Sequence, residues 1–156
     1  MKDLARGALI AAVYIVLCIA LQPISYGAVQ LRVAEALTVL PILYQEAIPG
    51  IFIGVLLANI FGGLGLADIV FGSLTSLAAA YLTWRFRRSF AAYLFPVIMN
   101  AAIISIYLHA IANLPYWATV LSIGASEAIV VFALGYPLVR MLRRYEGLND
   151  GKEERE

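Results

Sequence analysis

The sequence predicts an all-α membrane protein of six transmembrane helices with both termini in the cytoplasm. Three observations predict it. Of the 156 residues, 63% are apolar and 13% charged. A soluble domain has about 45–50% apolar and about 25% charged residues, so there is too little polar side-chain surface here to coat a soluble globule. The uncharged stretches are long: 7–31, 36–45, 47–67, 69–84, 89–126 and 128–139. Finally, the basic residues gather into clusters that separate these stretches. The composition also excludes a disordered chain, and the length fits one domain. That domain is residues 1–145, with 146–156 a polar, frayed cytoplasmic tail.

A helix needs about 20 residues to cross roughly 30 Å of hydrocarbon. The first apolar run predicts a helix near 7–21. Its basic start imitates a signal peptide, but Ser25-Tyr26-Gly27 is a poor cleavage site and five apolar segments follow, so the helix is expected to be retained. The segment 33–61 reads either as one long helix or as two, near 33–44 and 48–61, broken around Glu46 and Pro49. Charge decides between them, because basic residues accumulate on the cytoplasmic side. With two passes Lys2, Arg6, Arg85, Arg87, Arg88, Arg140, Arg143, Arg144, Lys152 and Arg155 are all cytoplasmic, and only Arg32 is outside. A fourth helix follows near 66–84. The run 89–126 holds the fifth, near 91–111, and the start of the sixth, near 117–142, with Asn113-Leu114-Pro115 as the turn between them. The expected location is a bacterial inner membrane, with the lipid bilayer as the surrounding partner.

Lipid tails are as apolar as leucine, so small residues must let the helices approach each other. Gly50, Gly54 and Ala58 recur every four residues on the third helix and read as a packing stripe. Ala8 and Ala12 form a similar patch on the first helix, either for internal packing or for docking another membrane subunit. Cys18 is the single cysteine, so no internal disulfide forms, and its apolar setting predicts an inert buried thiol. With one cysteine and one histidine, no metal site is expected.

Ionisable groups inside a membrane are costly, so each is a candidate site. Glu127 lies ten residues into the sixth helix, about 15 Å deep at 1.5 Å per residue. A cationic ligand would keep it ionised; the plain structural alternative is a bond to a neighbouring helix. Asp68 opens the fourth helix as an N-cap or as part of a polar seam with Gly72, Thr75 and Ser76 on one face. Arg32 and Glu35 flank the start of the second helix, either paired at the surface or holding a ligand. Asn59 precedes the glycine-rich turn Gly62-Gly63-Leu64-Gly65. Asn100 and Tyr107, seven apart, share one face of the fifth helix, whereas His109 and Asn113 share another. Tyr116 and Trp117 fit an interfacial aromatic belt, and Tyr116 also falls above Glu127 on the same helix face. Together Glu35, Asp68 and Glu127 make the outer half acidic. A pocket there suits a cation or a ring rich in hydrogen-bond donors, stacked on aromatic side chains.

No Gly-x-Ser-x-Gly, His-Glu-x-x-His or phosphate-binding Gly-Lys-Ser/Thr motif occurs. The chain therefore reads as a non-enzyme without its own ATPase, and neither a cofactor nor a nucleic acid is an expected partner.

Longer strings carry more specificity. Pro23-Ile24-Ser25-Tyr26-Gly27, Gln30-Leu31-Arg32-Val33-Ala34-Glu35-Ala36-Leu37-Thr38-Val39-Leu40-Pro41, Glu46-Ala47-Ile48-Pro49-Gly50, Leu57-Ala58-Asn59-Ile60-Phe61-Gly62-Gly63 and Asp68-Ile69-Val70-Phe71-Gly72-Ser73 together resemble the QueT family. The match is densest from 22 to 76 and runs over 5–142. The resemblance implies a substrate-binding S component of an energy-coupling factor (ECF) transporter, with the corresponding six-helix bundle. It implies capture of a queuosine precursor, an aminomethyl-deazaguanine base, from outside. Docking on one membrane T component and two cytoplasmic ATPases, and toppling in the membrane to release the cargo, are implied with it. By the same resemblance Ala8 and Ala12 match an Ala-x-x-x-Ala docking patch, and the loop Gln22 to Leu31 is a gate. Two alternatives stay open: an S component for another small heterocyclic vitamin, and a stand-alone proton-coupled carrier.

Overall fold

The computed structural model of the chain describes residues 1–25, 31–63 and 65–153, with side chains up to Glu146. The expected gate therefore falls largely outside the described residues. Six helical segments follow one another. They are α1 (Lys2–Ala20), α2 (Val33–Ile42), α3 (Ala47–Gly62), α4 (Asp68–Gly72 continued by Ser73–Arg85), α5 (Phe90–Ala112) and α6 (Tyr116–Glu146). A short turn of helix at Gln22–Ser25 follows α1, and the helical backbone of α6 runs on to Glu153. The polar end expected to fray from Glu146 is thus helical up to that point. All these elements are helical, and α1, α5 and α6 are each long and apolar enough to cross a membrane.

The second and third segments are shorter, and α2 gains length by its geometry. It is a 3₁₀ helix throughout, which rises about 2.0 Å per residue where an α-helix rises about 1.5 Å. Every residue from Ala34 to Ile42 is buried, and α2 packs against all five other helices. Gly135 lets α6 come close, since a Cβ there would stand 2.9 Å from Val39 Cγ2 and 3.1 Å from the Ala36 carbonyl. The centre of the bundle is therefore a short, tight helix sheathed by the others.

Small residues set the α1–α3 contact, as the stripe on the third helix predicts. A Cβ on Gly50 would meet the Gly7 carbonyl oxygen at 2.5 Å, and one on Gly54 would meet Tyr14 Cβ at 2.9 Å. The residues of α1 that turn inward are Gly7, Ile10, Ala11, Tyr14 and Cys18. Ala8 and Ala12 are exposed and take no part in this internal contact. They line a groove of about 590 Å³ between α1 and α3, with Pro49, Ile53 and Leu57 on its other wall.

Polar contacts tie one end of the bundle. Arg6 pairs with Glu46 and lies 4.2 Å over the Tyr44 ring, and the Tyr44 hydroxyl donates to Glu146 Oε1 at 2.6 Å. Burial, reinforced by the bond to Glu146, pushes Tyr44 up to about 12, so it remains a donor at neutral pH. These bonds bring the start of α1, the α2–α3 turn and the far end of α6 together. At that same end Phe90 and Tyr93 stack against Phe132 and Tyr136, which brings the α4–α5 turn and its arginines alongside.

We expect Gly50→Val to lower the thermal unfolding midpoint of the detergent-solubilised protein. Overpacking at a backbone contact costs about 1–3 kcal/mol or more. Ala8→Val, on the exposed side of the same helix, should leave the midpoint unchanged.

Candidate functional site

The polar residues of the opposite half converge. Asp68 is buried and begins α4 in a π turn. It does not serve as an N-cap, for its carboxylate is used between helices. Tyr107 of α5 donates to Asp68 Oδ1 at 2.5 Å, and Arg32 stands 3.4 Å from Oδ2. Arg32 also donates to Asn59 Oδ1 at 3.0 Å, and the Asn59 amide nitrogen donates to the Asp68 backbone carbonyl at 2.9 Å. Asn59 is fully buried, and Gly72 makes the space, since a Cβ there would stand 2.9 Å from Asn59 Nδ2. The polar seam expected on α4 is real: Asp68, Gly72, Thr75 and Ser76 all face inward.

Arg32 therefore does not form the expected surface pair with Glu35. Arg32 reaches α3 and α4, whereas Glu35 lies inside the bundle, 3% exposed. Its Oε1 accepts from Tyr14 of α1 at 2.6 Å. A 3₁₀ turn eclipses residues three apart, which lets Thr38 Oγ1 donate to the Glu35 carbonyl at 2.6 Å and lock the turn.

Glu127 is also buried, and Asn100 of α5 donates to its Oε1 at 2.9 Å. The bond to a neighbouring helix, one of the two readings of this residue, is thus present. The Asn100 amide nitrogen is thereby committed to Glu127. The Glu35 carboxylate is close enough to act electrostatically on Glu127 and to feel Asp68, Arg32 and Asn100. Glu35, Asp68 and Glu127, from three helices, thus form one buried group with Arg32 as its basic member. Fully ionised, these four carry an excess of negative charge. Phe71 stacks on Tyr107 with ring centroids 6.1 Å apart, which puts aromatic faces beside Asp68.

Three expected site residues stand elsewhere. The exposed His109 approaches the Leu114 carbonyl at 2.7 Å through Nδ1, which binds the α5–α6 turn to itself. Tyr116 packs edge-on against Trp117, and Trp117 is exposed. Tyr14 was not foreseen. It is a lone hydroxyl in an apolar run, and only its spacing of four and seven from the inward-facing Ile10 and Gly7 gives any sign of which way it points. Among the described residues no group of acids, histidines and cysteines is arranged to hold a metal.

Removing the Asp68 charge should be costly, because Arg32 would keep its own in a buried setting. We expect Asp68→Asn to destabilise the protein by about 2 kcal/mol or more, seen as a lowered midpoint in thermal unfolding. Tyr107→Phe should cost less, at about 1–2 kcal/mol.

One of three comparisons with known proteins finds a match, and it is to a transporter family. The family model described as the QueT transporter matches residues 4–144. No curated protein and no solved structure matches the chain. The matched range reaches into all six helices and takes in every residue of the buried polar group, and the chain belongs to the QueT transporter family.

Proposed function

We propose that the chain is the substrate-capture S component of an ECF importer. It takes a queuosine precursor, an aminomethyl-deazaguanine-like base, from outside and delivers it by docking on a T component with two ATPases. The observation that carries this reading is the buried acidic group built by Glu35, Asp68 and Glu127. A protonated aminomethyl group needs a carboxylate, and a charge-assisted bond of that kind is among the stronger ones available to a protein. A guanine-like ring presents N–H donors to further acceptors and a flat face to aromatic side chains. Glu127 is the choice for the amine, Glu35 for the ring, and Asp68, Asn59 and Arg32 for closing the site.

The basic clusters support the sidedness. Their gathering at the end opposite the acidic group fits cytoplasmic termini and an acidic site toward the exterior of the inner membrane. The exposed Ala8 and Ala12 support the docking face. They line an apolar groove that none of the described helices fills, and small residues are what close helix approach in lipid requires. The chain carries no nucleotide-binding motif, which fits a subunit whose energy comes from partner ATPases. Native mass spectrometry of the purified chain with the precursor and with other heterocyclic vitamins tests the cargo. Co-purification with a T component and ATPases tests the assembly, and transport by the chain alone would favour a proton-coupled carrier.

Two outcomes are expected. Glu127→Gln keeps an oxygen for Asn100 but loses the charge, so binding should weaken at least tenfold without unfolding, since about 1.5–3 kcal/mol attaches to a bond with a charged group. Unchanged affinity in titration calorimetry would remove Glu127 from the site. Ala8→Leu or Ala12→Leu should spare binding and block uptake in vesicles reconstituted with the ATPase module; uptake surviving both changes would move the docking face elsewhere.

A further inference from the structure

The α4–α5 turn carries charge that the protein does not answer. Residues 84–89 line a cavity of about 550 Å³, a volume within the range of small-molecule sites. Three of the lining residues are arginines, Arg85, Arg87 and Arg88, and all three are exposed. Among the described residues the ion pairs are Arg6–Glu46 and Arg32–Asp68, so none of the three meets a carboxylate. The described acids of this end are committed or turned away. Glu46 pairs with Arg6, Glu146 accepts from Tyr44, and Asp3 lies on the α1–α3 groove. What holds the arginines is aromatic. Arg87 lies 5.2 Å over the Trp84 ring and Arg85 5.8 Å over the Phe86 ring, and Phe86 packs on Phe95 with centroids 5.1 Å apart. The turn beneath them is tied. Thr83 Oγ1 donates to the Ala92 carbonyl at 3.1 Å, the Ser89 amide donates to the Phe86 carbonyl at 2.8 Å, and the Ser89 hydroxyl accepts from the Ala91 amide at 3.2 Å. Three like charges are thus kept together on a braced loop, where they repel one another unless an anion comes between them.

We propose that this turn binds the phosphate of an anionic phospholipid, whose acyl chains run down the outside of α4. A guanidinium offers a planar fork of donors that matches phosphate oxygens. The depth is right for a headgroup. Residues 69–84 carry no charge, and the arginines begin where that stretch ends. Tyr81 lies against Trp84 with ring centroids 5.9 Å apart, an aromatic pair of the kind that marks the boundary between hydrocarbon and water. Leu74 and Tyr81, seven apart on α4, are both exposed and give acyl chains an apolar track leading away from the arginines. A lipid uses both the charge and this track, whereas a soluble anion uses the charge alone. Arg143 of α6 stands close enough to Tyr93 to act on it electrostatically, so the cavity lies within a wider basic field that draws anionic headgroups. The proposal is independent of the cargo and of any docking subunit; it needs only that the bundle lies in a bilayer.

The test reads the fluorescence of Trp84 in the full chain reconstituted into vesicles. The chain has two tryptophans, and Trp117→Phe, at an exposed residue near the start of α6, leaves Trp84 as the reporter. Lipids with brominated acyl chains quench a tryptophan they touch. Brominated phosphatidylglycerol should quench Trp84 with an affinity at least about fivefold above that of brominated phosphatidylcholine, whose choline cancels the phosphate charge. Arg85→Gln, Arg87→Gln and Arg88→Gln together should bring that preference below about twofold. Arg140→Gln, Arg143→Gln and Arg144→Gln together remove the same charge from α6 and should leave most of it. An equal loss in both triple variants would make the preference a property of the whole basic end and overturn the site. Glycerol 1-phosphate should not relieve the quenching; relief would assign the cavity to a free phosphate and overturn the lipid. Equal quenching by the two lipids with all arginines in place overturns the proposal without resting on any arginine variant. A shift in Trp84 emission on adding a polyglutamate peptide would then mark the turn as a surface for an acidic protein.

Discussion

A carboxylate at the centre of a membrane bundle has to be satisfied by its neighbours, and Glu35 is that carboxylate. It sits on a helix that touches every other helix, so whatever holds it also bears on the packing of all six. The hold is the Tyr14 hydroxyl. Tyr14 in turn fits only because Gly54 faces it without a side chain. A small-residue stripe that looks like plain helix glue thus reaches the site through one aromatic ring. Helix approach in lipid depends on such close backbone packing, and the position of the buried acid depends on that approach. Packing and chemistry are here one constraint, and a substitution at Gly54 would be felt at Glu35 through Tyr14.

Irregular helix geometry does the rest of the placing. Asp68 and Asn100 each stand at the start of a π turn, where an extra residue is taken into the helix and the following face is rotated. A third π turn, Val131–Gly135, follows Glu127 by one turn and places Gly135 against α2. Such turns are rare and recur at functional sites. In this bundle they coincide with the residues that cross-link helices by side chain. The opposite end is tied by the Arg6, Glu46, Tyr44 and Glu146 contacts. The bundle is therefore pinned at the basic end and carries its acids in the other half.

The six segments were legible in the sequence because charge is costly in lipid and its absence leaves long runs. Their boundaries follow within a few residues from Pro49, Gly63 and Asn113, the last two of which take up left-handed backbone at helix ends. The acids were legible one by one for the same reason. Their partners were not. Arg32 and Glu35 look like a pair because they are three residues apart, yet a central 3₁₀ helix sends one inward and leaves the other at its mouth to reach α3 and α4. Asp68 looks like a cap because it begins a helix, yet its side chain is held by Tyr107 and Arg32. Asn100 and Tyr107 share a buried face as their spacing predicts, but one meets Glu127 and the other Asp68. Tyr14 showed only a face, through its spacing from Ile10 and Gly7, and no partner. Periodicity assigns faces; it does not say which distant residue will stand opposite.

The energetics of the buried group bear on how the bundle holds together. An unpaired buried acceptor costs about 1–3 kcal/mol relative to a satisfied one, so leaving Glu35 Oε2 and Asn100 Oδ1 without a protein donor is a standing disadvantage to the folded chain. Providing a serine or asparagine opposite would have removed it. The scaffold around the group is tight where Gly7 and Gly50 bring α1 and α3 together and where Tyr44 and Arg6 tie the basic end. Tight scaffold and under-satisfied site are therefore complementary parts of one design: the first lets the second persist without unfolding the bundle around it.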